Sequence, residues 1–248
     1  MGVARYNETD RFYRLKHKSP KGWRSFRVLY RETDLWVRAK ADLEREAMEA
    51  VLSCRLQLER YIGLNDLFLR TLTPLPDDPM APPIVRRMLE AALSAGVGPM
   101  AAVAGAVAEA VGVFLEKFSD SLIVENGGDC YINMDEETTV DIFAGPRSPF
   151  QGKIAIKLGP ERFPLGVCTS SATVGPSLSL GNADAVTVIS PNAALADAAA
   201  TRLGNMVKTS SDIDRALALA PSIAGVEGVL IMIRDKIGIW GNVELAPV

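Results

Sequence analysis

The chain has 248 residues, room for one large domain or two closely packed halves, and its 48% apolar and 23% charged content suits a globular protein with a sizeable core. A net charge of −3 carries no bulk signature of nucleic-acid binding. Three cysteines, Cys54, Cys130 and Cys168, with no Cys-x-x-Cys spacing, disfavour a disulfide framework and a thiolate zinc site, and the charged N-terminus has no signal-like apolar stretch, so a cytoplasmic location is expected.

The first forty residues are basic, with Arg5, Arg11, Arg14, Lys16, Lys18, Lys21, Arg24, Arg27, Arg31, Arg38 and Lys40. They read as a solvated strand face or as an anion-attracting rim. Polar and apolar residues alternate over 10–16, 25–30 and 33–39, which predicts three strands, with Glu32-Thr33-Asp34 as a turn. Ala41 to Ile62 predicts an amphipathic helix. Leu43, Ala47, Val51, Cys54, Leu58 and Tyr61 form its apolar stripe, and Arg55 and Glu59 are a pair on the other side. Five prolines between 73 and 83 predict a stiff connection, and a short helix follows from Ile84 to Ser94.

Gly96-Val97-Gly98-Pro99 opens a small-residue helix at about 100–117. Its Ala101, Ala102, Ala104, Gly105, Ala106 and Ala108 admit another backbone or a flat ligand at close range. Ala91 to Leu115 is long enough to span a bilayer, but alanine and glycine dominate it, Pro99 interrupts it and Glu109 lies inside it, so a buried helix is expected. Strands are predicted at 122–124, 130–133, 138–143, 152–158 and 184–190. Asn192 caps a helix to about Val207, a short helix covers 212–219, and a hairpin of 228–233 and 236–240 turns around Asp235. Grouped strands with helices between them imply an α+β fold.

His17 is the only histidine, so a multi-histidine metal site is excluded and a hydrolytic triad around Cys168, Ser170 or Ser171 would depend on that distant imidazole. Any metal here would be a hard cation held by oxygen. Asp197 and Thr201 share one helix face and suit Mg²⁺, although an aspartate answering the helix dipole has the same spacing. Asn126-Gly127-Gly128-Asp129 is a tight turn, either a plain hairpin or a set of amides for an anion with Asp129 accepting from a ligand. Cys168 to Ser177 reads as a Ser/Thr-rich loop, either a polar surface or a phosphate-binding segment.

Asn126-Gly127-Gly128-Asp129, then Cys168-Thr169-Ser170-Ser171, then Ala196-Asp197-Ala198-Ala199-Ala200-Thr201 resemble, in order, the signatures of the ApbE-like superfamily, whose best-known members are FAD:protein FMN transferases. Gly98-Pro99-Met100-Ala101-Ala102-Val103-Ala104-Gly105 and Ala183-Asp184-Ala185-Val186-Thr187-Val188 resemble more closely a short, functionally uncharacterised "UPF" branch of it. The resemblance implies one ApbE-like domain over 1–248, built of two intertwined T-fold-like halves, with the ligand site in 98–205. It implies Mg²⁺ contacts from Asp197, Thr201 and the carbonyl of Ala104, and contacts to FAD, FMN or another nucleotide near Gly127, Gly128, Asp129, Thr169 and Ser170. It also raises a protein substrate, a homo-oligomer, and a role in sulfide assimilation or homocysteine formation in which Cys168 would matter. Two departures stand out. Pro176 to Asn182 holds none of the transferases' His-x-x-Asp-Pro, and Gly105 stands where they carry a lysine. Binding without transfer is therefore the second expectation, and neither a membrane nor a nucleic-acid partner is expected.

Overall fold

The computed structural model describes residues 22–146, 148–172 and 179–248. The expected strand at 10–16, His17 and residues 173–178 of the Ser/Thr-rich segment lie outside the described residues.

The chain opens with a hairpin of β1 (Arg24–Tyr30) and β2 (Thr33–Ala39). Its turn is at Arg31 and Glu32, with Arg31 at φ 52°, so Thr33 and Asp34 belong to β2 rather than to the turn expected for them. Helix α1 (Glu44–Leu64) buries Ala47, Val51, Cys54 and Leu58 of the expected stripe, and Arg55 pairs with Glu59 at 2.8 Å. The short α2 (Asp66–Arg70) and the proline-rich connection lead to α3 (Pro83–Ala95), which ends on Gly96 in the left-handed conformation at φ 72°. Such a residue satisfies the last carbonyls of a helix without the steric cost of a Cβ. A 3₁₀ turn, Pro99–Ala102, then bends the chain into α4 (Val103–Leu115).

Strands β3 (Leu122–Asn126), β4 (Asp129–Asn133), β5 (Thr138–Asp141) and β6 (Ile154–Leu158) follow. Next come β7 (Leu165–Ser170), β8 (Ala185–Ser190), α5 (Ala193–Met206) and α6 (Ile213–Leu219). The chain finishes with β9 (Gly228–Ile233), β10 (Lys236–Gly241) and β11 (Glu244–Pro247). Strand β7 corrects the loop expected from Cys168 onward. Cys168, Thr169 and Ser170 are its last three residues, paired with Val188, Thr187 and Val186 of β8. Hydroxyl side chains suit a pleated ladder as well as a loop, so composition alone misplaced them.

Eight strands form one antiparallel sheet in the order β1-β2-β3-β4-β7-β8-β9-β10. Its two runs of four share a plan, with helices inserted between the second and third strands of each. They join along β4 and β7, where Tyr131 pairs with Gly166. The helices cover one face. Strand alternation sends Val186, Val188, Val229 and Ile231 into that layer and Ala185, Ile189, Leu230 and Met232 to the opposite face. There a second sheet, β11-β6-β5, covers the later half with Ile156 and Leu158. This two-sided burial is why β8 and β9 read as continuous apolar runs. Among the described residues no single helix is long and apolar enough to cross a membrane. The apolar stretch at 91–115 is instead bent by 105° between α3 and the Pro99–Leu115 segment.

Candidate functional site

The site residues converge where the two halves of the sheet join and α4 meets α5. Strand β3 runs into the Gly127-Gly128 turn, at φ 71° and 108°, and returns as β4 with Asp129 as its first residue. Both dihedrals are in the region glycine tolerates, as a two-residue hairpin of this hand requires. The amide of Gly128 donates to Glu125 Oε1 at 2.8 Å, so a carboxylate of the chain itself already occupies one of the amides expected to meet an anion. Asn126 turns inward and its Nδ2 donates to the carbonyl of Ala104 at 3.0 Å, tying the hairpin to the start of α4.

Asp129 is buried, and its Oδ1 accepts from the amide of Thr169 at 3.1 Å across the β4–β7 seam. Thr169 Oγ1 lies 2.8 Å from Thr187 Oγ1 on the neighbouring strand, so that side chain already has a partner. Ser170 borders α5, since a Cβ added to Gly204 would sit 3.4 Å from Ser170 Oγ. Asp197 reaches from α5 to α4, where its Oδ2 accepts from the amide of Gly105 at 2.9 Å. Thr201 lies one turn further along α5 and is partly buried. The structure thus brings Ala104, Asp129, Thr169 and Asp197 to one seam, with Thr201 and Ser170 along α5 and the two glycines at the hairpin tip.

Two carboxyls lie close together at this seam, and burial raises the pKa of both. Burial pushes Asp197 up to about 7, against the opposing pull of the Gly105 and Ala104 amides. Burial also raises Asp129 well above the ordinary carboxyl range, and the negative charge of Asp197 raises it further. Removing carboxylates from water disfavours their charged forms, and a second negative charge nearby adds to the cost. Among the described residues, neither carboxylate has a lysine or arginine as an ion-pair partner. Also among the described residues, no group of three or more His, Cys, Asp or Glu side chains is placed to hold a metal ion. A cation here would lean on Asp197, the Ala104 carbonyl, the Thr201 hydroxyl and oxygens of its own ligand. That all-oxygen donor set fits Mg²⁺. The Ala104 carbonyl lies within α4 and accepts from Asn126 Nδ2 besides its helical bond, so a cation there would take the place of that amide.

Sequence reasoning missed Glu125, Asn126 as a tether, Glu109 and Gly166. The only local signal for Glu125 was its place three residues before Gly128, the spacing of a side chain folding back on a turn amide. The others make contacts over long sequence separations. A Cβ on Gly105 would fall 2.2 Å from the carbonyl oxygen of Ala193, and one on Gly166 would fall 2.3 Å from Ala193 Cα. The small-residue stripe therefore admits a backbone at Gly105, namely the first turn of α5.

Cys168 does not present a reactive thiol. It is fully buried, its Sγ donates to the Ala193 carbonyl at 3.3 Å, and burial with two nearby carboxylates raises its pKa. A thiol gains nucleophilicity from exposure and nearby positive charge, the opposite surroundings. Cys54 is likewise buried and pushed up to about 11. Iodoacetamide treatment of the native protein should therefore modify Cys130, which is partly exposed, well ahead of Cys54 and Cys168. Peptide mass spectrometry checks this, and rapid native labelling of Cys168 would contradict it.

Comparison with known proteins agrees with this architecture. A family profile described as "AbpE bacteria" matches residues 16–223. A UPF0280 protein of Methanocaldococcus jannaschii is 39% identical over 227 residues, covering 89% of this chain and 92% of the relative. A UPF0280 protein of Methanothrix thermoacetophila is 45% identical over 200 residues, covering 79% and 83%. Among solved structures, the ApbE protein of Thermotoga maritima superposes with a TM-score of 0.57 at 15% identity, covering 87% of this chain and 96% of that one. The apo flavinyl transferase ApbE of Pseudomonas stutzeri gives 0.55 at 12% identity, covering 88% and 94%. At such identities the structural likeness speaks for the fold, and the family assignment rests on the profile and the relatives. By these matches the chain belongs to the UPF0280 family, a branch of the ApbE-like proteins.

Proposed function

We propose that the seam between the two halves binds a flavin nucleotide, FAD or FMN, or a related phosphate-bearing nucleotide, together with Mg²⁺. The observation that carries this reading is the buried pair Asp129 and Asp197, raised by burial and without a basic partner among the described residues. A divalent cation would relieve that unfavourable charge. It would be held by Asp197, Thr201 and the Ala104 carbonyl, and would offset the negative charge of the ligand's phosphates. Gly127 and Gly128 at the hairpin tip, with Asp129, Thr169 and Ser170, are the residues we assign to the ligand side. Family membership supports this reading, because a solved neighbour of the same fold is named a flavinyl transferase.

Binding without transfer to a protein acceptor is the second reading, and one observation favours it. The position where transferases carry a lysine is Gly105, and α5 approaches so closely there that no side chain fits without displacement. Both readings are tested by titrating FAD into the protein by calorimetry, with Mg²⁺ and then with a chelator. Binding that weakens about tenfold or more on chelation, and that Asp197→Ala abolishes in a folded protein, supports the shared site. Absence of binding by FAD, FMN and ATP under both conditions would overturn it. If FAD binds, FMN transfer to an added acceptor protein separates the two readings.

A further inference from the structure

Helices α4 and α5 each lend a carboxylate to the other's first turn. The first amides of an α-helix have no partner within it, and a carboxylate placed there satisfies them and complements the positive end of the dipole. Helix α4 begins at Val103 behind Ala102, which offers no capping side chain, and Asp197 of α5 accepts from its Gly105 amide at 2.9 Å. Helix α5 begins at Ala193, and Oε2 of Glu109 on α4 accepts from the amides of Ala193 at 2.8 Å and Ala194 at 3.4 Å. Asn192 completes that cap by accepting from Leu195 at 2.8 Å. Glu109 is buried, and its other oxygen is held by the guanidinium of Arg87 on α3. Three helices are thus tied through one carboxylate.

Ala193 is held from several other sides. Gly105 and Gly166 leave no room for movement toward α4 or β7, and Cys168 donates to its carbonyl at 3.3 Å. Asp197 lies one helical turn beyond Ala193 on the same face. Whatever fixes Ala193 therefore fixes where the Asp197 carboxylate meets the start of α4. Mg²⁺ demands near-ideal octahedral geometry at about 2.0–2.1 Å, so a small sliding of α5 would spoil its ligand set.

We propose that Glu109, oriented by Arg87, is a positioning residue that fixes α5 so that Asp197 presents its carboxylate at the first turn of α4, against the Gly105 amide. This rests on the Mg²⁺ reading given under the proposed function. Glu109 touches neither the metal position nor the ligand side, and acts through the first turn of α5.

The test uses the whole chain, with Mn²⁺ as a paramagnetic probe for Mg²⁺, in the wild type, Glu109→Gln, Arg87→Met and, as a control, Glu90→Gln at an exposed pair on α3. Glu109→Gln is expected to remain folded by circular dichroism and to weaken Mn²⁺ binding about tenfold or more, with Arg87→Met shifted in the same direction. Glu90→Gln should match the wild type. A second readout needs no metal. The Gly105 amide proton, bonded to Asp197, should move upfield in the NMR spectra of Glu109→Gln and Arg87→Met, while amides of β9 stay in place. If wild-type protein fails to bind Mn²⁺, the Mg²⁺ reading fails, and the Gly105 shift alone decides whether Glu109 positions Asp197. If wild-type protein binds Mn²⁺ and a folded Glu109→Gln binds it equally, or the Gly105 resonance is unmoved, the proposal is overturned. Should Glu109→Gln not fold, Arg87→Met carries both readouts: weaker Mn²⁺ binding with an upfield Gly105 shift supports the proposal, and wild-type behaviour in either overturns it.

Discussion

Asp197→Asn is expected to raise the melting temperature of the metal-free protein at pH 8 by about 2–8 °C, and to change it little at pH 4. The reason is the position of Asp197, whose carboxyl is pushed up to about 7 by burial. An ordinary aspartate in the unfolded chain titrates near 4. Between these values the folded protein holds a proton that the unfolded chain has lost, so stability falls as pH rises through that window. The contribution is complete below about pH 4 and is lost by about pH 8. Asp129 is raised in the same direction and steepens the slope. Asparagine carries no charge at any of these pH values, and its side-chain oxygen still accepts from Gly105. At high pH the substitution removes an ionised group from a poorly solvated position, a gain of about 1–3 kcal/mol. Calorimetric scans across pH 4–8 should show a shallower decline in the variant than in the wild type. On the proposed Mg²⁺ site, added Mg²⁺ should stabilise the wild type at pH 8, and the same substitution should abolish that effect. A variant less stable than wild type at pH 8 without metal would show that the bond to Gly105 outweighs the cost of the buried charge.

Gly105→Ala is expected to destabilise the protein by about 2–4 kcal/mol, and Gly105→Lys by more, whereas helix propensity alone predicts the reverse sign. Alanine in an exposed helix interior gains about 1 kcal/mol over glycine. Here the new Cβ would fall 2.2 Å from a backbone oxygen of Ala193 and 2.9 Å from Asp197 Cβ, and backbone cannot swing aside as a flexible side chain would. Relief requires α5 to move off α4, which also loosens the Asp197 contact. Gly128→Ala is the matched comparison. It strains a backbone at φ 108° but meets open space, so its cost should stay near about 1 kcal/mol. Thermal melts of the three variants against wild type check the ranking. A Gly105→Ala protein as stable as wild type would show that α5 shifts freely, and would remove the steric reason for the missing lysine.

The longer helices were readable from local signals such as periodicity, whereas the five-residue α2 (Asp66–Arg70) was not predicted. In α1 the stripe from Leu43 to Leu58 is buried, because a single amphipathic face packs on one partner and the 3.6-residue repeat records it. The capped start of α5 was legible from Asn192, a local signal that Leu195 answers at 2.8 Å. Strand β7 was hidden because Thr169 and Ser170 look the same in a ladder as in a loop, and only pairing with β8 distinguishes the two. The terminal strand β11 was missed for a similar reason. It has four residues and ends on Pro247, and its place is set by pairing with β6, far away in sequence.

The sequence by itself determined most of the helices and strands and the α+β class, and it nominated 98–205 as the candidate site segment, because periodicity, caps and the Gly127-Gly128 turn are local properties of the chain. Through its resemblance to the ApbE-like proteins it also marked Asp129 and Asp197 as partners in one site. Only the tertiary structure decided what those residues meet. Asp197 takes up the Gly105 amide, Glu109 takes up the start of α5, and Cys168 turns inward to Ala193. These contacts join residues 25 to 92 positions apart. Their distances depend on how closely two helices cross, which is set by glycines whose role shows only when both backbones are in place.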